Sequence, residues 1–233
     1  MITLRPAAAR GQADHGWLQA RHSFSFGGYH DPANMGYSVL RVINEDIIAP
    51  GMGFGMHAHR DMEIVTYLLA GALRHQDSLG HGAEIHAGEI QVMSAGSGVR
   101  HSEFNASLSV PAHLLQIWIQ PAEPGLPPHY AQREIARTCK HGRWCVLASG
   151  DGREDAIRIH QDAAILATVL QSGDAPLSFA ARAGRRYYLQ LAAGEVRLNG
   201  IPMRAGDGAC IENETQLTLS DAREAEALLF DLP

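Results

Sequence analysis

Helical periodicity is scarce in this chain. What recurs instead is a run of four to eight apolar or alternating residues closed by Gly, Pro, Asn or Asp. Residues 37–43, 63–69, 90–93 and 114–119 are such runs, the last rich in β-formers and ended by Gln120-Pro121. Short strands with frequent turn signals argue for an all-β barrel or sandwich. Residues 121–128 then hold four of the eleven prolines, a density that disfavours both helix and sheet interior. Beyond them β-runs resume at 143–148, 164–170, 186–191, 195–198, 216–219 and 227–230. The expectation is two β-domains, residues 1–130 and 131–233, joined across the stretch 121–142; the competing reading is one domain with a long ordered loop. The halves look like diverged copies. Leu69-Ala-Gly71 and Ala87-Gly-Glu-Ile90 have counterparts in Leu191-Ala-Ala-Gly194 and Ala205-Gly-Asp-Gly208.

Composition narrows the function classes. A chain of 233 residues with 45% hydrophobic and 19% charged residues is ordinary globular material. Its formal charge of -6 comes without any Lys/Arg run, so nothing electrostatic points to direct nucleic-acid binding or to an anionic membrane. No segment approaches the roughly twenty apolar residues of a membrane span, and the N-terminus lacks the apolar core of a signal peptide. Cys139, Cys145 and Cys210 are odd in number and scattered, neither a disulfide framework nor a zinc site with CxxC spacing. A reducing cytoplasm is expected.

The thirteen histidines are the unusual feature. His15, His22, His30, His113, His129, His141 and His160 lack a partner at ligand spacing and are expected on the surface or in structural hydrogen bonds. His57-Ala58-His59 and His101-Ser102-Glu103 differ. A spacing of i, i+2 on a strand puts both side chains on one face. Two such pairs on neighbouring strands aim three imidazoles and one carboxylate at a single point, a set suited to Fe, Ni, Mn, Zn or Cu. Without an ion, the same four groups would need a polar network with many compensating bonds. Glu63 shares the parity of His57 but lies roughly 13 Å beyond His59 along a straight strand. It reaches the same ion only if the chain bends, and is expected in a buried network beside the site. His75, His81 and His86 flank a turn-rich hairpin and are expected on the surface. Phe24, Phe26 and Trp118 read as core packing, unless one lines a pocket. The second half has no HxH pair and is expected to hold no metal.

Gly51-x5-His57-x-His59-x3-Glu63 is similar to the first motif of the cupin superfamily, small β-barrels that carry a metal in the mouth. Gly88, Ser94, Gly96, His101 and Asn105 approximate the second motif. Ser94 stands where proline is usual, and His101 lies further from Gly96 than the simple pattern has it. The wider set resembles the pirin family of bicupins: Arg21-His-Ser-Phe-Ser-Phe26, Asp31-Pro32, His57-x-His59-Arg60-x2-Glu63, His75-x-Asp77-Ser78-x-Gly80, and Met93-x-Ala-Gly-x-Gly-x2-His101-x-Glu103. The resemblance is strong over residues 17–120 and rests beyond that on length and strand pattern. It implies two cupin-type β-barrel or jelly-roll domains in tandem, the second degenerate and without ligands. It also implies one divalent ion per chain on His57, His59, His101 and Glu103, iron first, with Ni, Mn, Co, Cu or Zn as alternatives. In many other cupins the counterpart of Glu63 is itself a ligand.

Three histidines and a carboxylate leave an octahedral ion two adjacent open positions, as non-haem iron oxygenases require. A structural zinc site would be closed and typically cysteine-rich. Bacterial pirins include quercetinases. The resemblance thus implies a quercetin 2,3-dioxygenase-like oxidoreductase that cleaves flavonols with O2 and releases carbon monoxide, Glu103 serving as catalytic proton acceptor as well as ligand. Some pirins are described instead as metal-dependent, redox-sensing regulators that bind a protein partner. A third reading is another cupin reaction, such as sugar isomerisation, which does not share the 21–26 and 77–80 elements. A pocket lined with apolar and aromatic side chains favours the flavonol, and a sealed or highly charged mouth favours a partner.

Overall fold

A computed structural model describes residues 1–233. Strands dominate; the helical segments are Arg137–Lys140 and the single 3-10 turns Ala7–Ala9 and Arg153–Asp155. No helix is long and apolar enough to cross a membrane. The chain forms two compact units, one of residues 11–134 with 159–161, the other of residues 1–10, 135–158 and 162–233. This division departs from a cut at residue 130 in definite places. Ile2–Arg5 pairs antiparallel with Gly208–Glu212, so the first ten residues fold with the C-terminal unit. His129–Glu134 pairs with Glu89–Ser94, so the chain leaving the proline-rich stretch still belongs to the N-terminal unit.

The N-terminal unit is built from two antiparallel sheets. One runs Gly53–His59, Val99–Asn105, Ala72–Asp77, Gly82–His86. The other runs His129–Glu134, Glu89–Ser94, Glu63–Ala70, Ala112–Ile119, Leu40–Ile48, Leu18–His22, Gly11–Asp14. Leu73 and Ile85 of the first sheet meet Leu18, Ile48, Leu68 and Leu114 of the second in one buried cluster. Burial of alternate residues from both sheets is what holds a sandwich together. A second cluster gathers Ile64, Met93, Ala95 and Val99.

Between those apolar clusters the inward face turns polar. Asn44, Gln116, Thr66 and Gln91 are direct register partners across adjacent strands, extended by His22 at one end and Gln132 at the other. Each sits two residues from an apolar neighbour on the same face: Thr66 lies between Ile64 and Leu68, and Gln116 between Leu114 and Trp118. This polar row is the floor on which the site is built.

The C-terminal unit is a nine-stranded sheet dominated by Arg186–Leu198 and Gln216–Leu232. The sequence predicts each of these as a pair of short strands. They are continuous because the breaks are bulges rather than turns. Gly194 has φ +72°, and a Cβ there would lie 2.2 Å from the Glu224 carbonyl oxygen. Asp221 and Glu224 also have positive φ, 51° and 45°, and the pairing register shifts repeatedly between Leu191 and Arg197. Bulges bend a strand and raise its twist without ending it. Both ends of each long strand therefore reach one core that includes Leu166, Leu189, Leu198, Leu217 and Leu229.

Candidate metal centre

Three neighbouring strands of the smaller sheet carry the titratable pairs. His101 is the register partner of His57 on one side and of Asp77 on the other, and Glu103 is the partner of His75. Strand alternation then turns His57, His59, His75, Asp77, His101 and Glu103 to one face. Ring centroids lie 4.7 Å apart for His57 and His59, 4.5 Å for His57 and His101, and 4.9 Å for His59 and His101. Their donor nitrogens lie within 4.8 Å of one another. Nδ1 of His57 donates to the Gly55 carbonyl at 2.8 Å, which leaves Nε2 as the ring nitrogen available to a ligand. Burial, reinforced by His57, pushes the His59 pKa down to about 4. Burial, reinforced by His57 and His59, pushes that of His101 down to about 3. Both rings are neutral at pH 7, the form that ligates metals. His101 is 1% exposed, and neither of its ring nitrogens has a hydrogen-bond partner. Buried polar atoms are normally satisfied, so the donor set fits an ion.

Glu103 is placed differently from the three imidazoles. A register shift between His101 and Glu103 sets the latter beside Phe54 rather than Gly55. Its carboxylate groups with His101 and His75, within 4.8 Å, rather than with His57 and His59. Oε1 accepts from Thr66 Oγ1 at 3.3 Å and Gln91 Nε2 at 3.4 Å, and Oε2 accepts from Gln116 Nε2 at 3.0 Å. Burial lifts its pKa to about 7 against the pull of those bonds. Glu63 stands apart. It accepts from Ser94 Oγ at 2.7 Å and pairs with His160 Nδ1 at 3.3 Å, and it joins neither cluster.

His75 corrects the sequence reading of a surface histidine. It is 0% exposed, its Nε2 bonds Asp77 Oδ2 at 3.2 Å, and its ring stacks on Tyr130. The signal was present, since His75-x-Asp77 is a third i, i+2 pair. Thr66, Gln91 and Gln116 were also missed. Each is a lone polar residue inside a buried apolar run, and that is the mark that would have found them. His81 and His86 do lie at the surface. Phe24 is buried core, whereas Phe26 and Trp118 help line a cleft of about 400 Å³ with Tyr29, Met35, Arg41 and Met62. Trp118 meets His59 edge-on at 5.0 Å, so that cleft adjoins the imidazoles.

A histidine-rich cluster inside one β-sandwich, followed by a second all-β unit, defines a bicupin. The chain belongs to the pirin family: the Pirin profile matches residues 3–119, and that of the quercetinase C-terminal cupin domain matches residues 146–232. It is 46% identical over 233 residues to the quercetin 2,3-dioxygenase of Escherichia coli (strain K12), covering 100% of this chain and 99% of that one. A pirin-like protein of Caulobacter vibrioides is 43% identical over 232 residues, 99% of each chain. The crystal structure of the bacterial pirin YhhW from Escherichia coli in complex with nickel(II) superposes with a TM-score of 0.94 at 45% identity, over 100% of this chain and 99% of that one.

Proposed function

We propose that this chain is a quercetinase-type dioxygenase that holds one divalent ion on His57, His59, His101 and Glu103 and cleaves a flavonol-like substrate with O2. The observation that carries it is His101, buried beside His57 and His59 with both ring nitrogens unpartnered. The ion, iron first with Ni, Mn, Co, Cu or Zn as alternatives, would supply Lewis-acid and templating chemistry with room for the substrate oxygen and O2. The relatives named quercetin 2,3-dioxygenase and the nickel-bound pirin support this reading.

The chain's own residues do the rest. Glu103, a buried carboxylate grouped with His101, takes the proton of the flavonol 3-hydroxyl. Thr66, Gln91 and Gln116 fix its two oxygens while it does so. Phe26, Met62 and Trp118 offer the substrate's rings an apolar wall beside His59. Ring opening then gives a depside and carbon monoxide.

With Fe, Ni, Mn, Co or Cu restored, the protein should consume quercetin and O2 in equal amounts and release carbon monoxide. A flavone lacking the 3-hydroxyl should survive intact. The His57→Ala, His59→Ala double variant should fold but be inactive, because both side chains are only half-buried and lie outside the apolar clusters. The competing reading, a metal-dependent regulator, is favoured by the exposed Met52, Met56 and Phe104 on the ligand-bearing strands and their flank. It takes the lead if every metal form leaves quercetin untouched.

A further inference from the structure

Three buried imidazole nitrogens in the N-terminal unit have no hydrogen-bond partner: Nδ1 and Nε2 of His101 and Nδ1 of His75. An ion shared with His57 and His59 satisfies one nitrogen of His101. The other then carries the ring's N–H, and a donor in a side chain 1% exposed needs an acceptor. Glu103 has little capacity left for it, since its oxygens already take Thr66, Gln91 and Gln116 and what remains serves the ion or the substrate proton.

His75 offers another unpartnered nitrogen beside His101; the two rings make no hydrogen bond as they stand, so the contact has to close as the ion seats His101. Its ring centroid is 5.4 Å from that of His101, and ligating atoms of the two rings and Glu103 fall within 4.8 Å. Its tautomer is set from the far side. Nε2 donates to Asp77 Oδ2 at 3.2 Å. Asp77 Oδ1 is held by the backbone N–H groups of Leu79 and His81 at 2.9 and 3.0 Å. Protonating Nδ1 as well would leave a fully buried N–H with no acceptor. The neutral ring therefore keeps its proton on Nε2 and presents a lone pair at Nδ1. Tyr130 locks the ring plane, stacking on His75 at 4.8 Å and 28° while its hydroxyl donates to Gln91 Oε1 at 3.1 Å.

We infer that His75 is a positioning residue that accepts the ring N–H of metal-bound His101, anchored for that task by Asp77 and Tyr130. One ion and one hydrogen bond then satisfy all three nitrogens. Such outer partners fix the orientation of a ligating imidazole and raise its basicity. The inference rests on the ligand set proposed above.

The test uses full-length protein labelled with 15N at histidine and loaded with Zn2+. His75 should show its proton on Nε2, and His101 a slowly exchanging ring N–H. His75→Leu, which keeps bulk and removes the acceptor, should weaken metal binding on the order of 10–100-fold in chelator competition and lose the slow N–H. His75→Asn, whose amide oxygen replaces Nδ1, should recover most of the affinity. A proton or the ion itself on His75 Nδ1 in the loaded parent overturns the inference. So does a folded His75→Leu that binds zinc as tightly as the parent. If His75→Leu does not fold, the tautomer in the parent decides. A parent that binds no metal at all removes the ligand set and this inference together, whereas a metal-binding parent with an indifferent His75→Leu removes only the inference.

Discussion

Asp46 is 4% exposed and has an unpartnered Oδ1. Burial, with Glu103 and Glu45 adding repulsion, lifts its pKa from 3.8 to about 7. The folded state keeps a proton that the unfolded chain releases, so this contribution to stability is full below the unfolded pKa and lost as pH rises to about 7. At about 1.4 kcal/mol per pH unit the loss is roughly 4 kcal/mol. Asp46→Asn should therefore raise the Tm of the metal-free protein more at pH 8 than at pH 5, read by thermal melts; equal shifts at both would contradict the account. The two buried glutamates are expected to divide their labour at the same scale. Glu103→Gln should lower turnover by about 10²-fold or more and release metal. Glu63→Gln should keep the metal and cost about 1–3 kcal/mol through the Ser94 and His160 contacts. Elemental analysis beside denaturant melts separates the two, and metal loss in Glu63→Gln would reverse the assignment.

At the scale of elements, the close approach of Gly53–His59 to Val99–Asn105 positions the proposed ligands. A Cβ on Gly53 would lie 2.2 Å from the Glu103 carbonyl oxygen and 2.5 Å from the Phe104 Cα, whereas one on Gly55 meets nothing within 4 Å. Gly53→Ala should cost about 1–3 kcal/mol and loosen the metal, and Gly55→Ala should do neither; melts and chelator competition on the pair check this. Elements were legible where the physics is local. Ala164–Leu170 is observed as predicted from its apolar run, and Glu63–Ala70 differs by one residue. The long strands of the C-terminal unit were not, because a bulge and a turn use the same residues. Gly194 looks like a strand end in sequence and becomes a bend only through pairing with a distant strand. His75 failed for a related reason. The loop at 78–80 hid that its neighbour lies between Val99–Asn105 and Gly82–His86 in the sheet.

For the whole molecule, both clusters of potential ligands draw on residues of the N-terminal unit alone. About one ion per chain is the expected stoichiometry, and two by elemental analysis would contradict it. The tandem all-β plan was legible because strand runs and the proline-rich break are properties of the sequence itself. The exchange of residues 1–10 into the C-terminal unit was not, since it depends on Ile2–Arg5 finding an edge some two hundred residues away. The position of Glu103 lay between these cases. Its strand parity was readable, but the register shift that turns it toward His75 and the polar row belongs to the pairing.

The edge of Trp118 against His59 gives the protein an optical readout of its own. An open-shell ion on that imidazole quenches a nearby indole's emission; Trp144 in the C-terminal unit provides background, and Trp17, which meets Phe54 beside His57, a weaker response. Titration with Co2+ or Cu2+ should dim the fluorescence in proportion to occupancy, and Trp118→Phe should remove the larger part of that change, leaving the weaker Trp17 response, without altering the metal bound. Filling of the site could then be followed in real time, before any substrate is added.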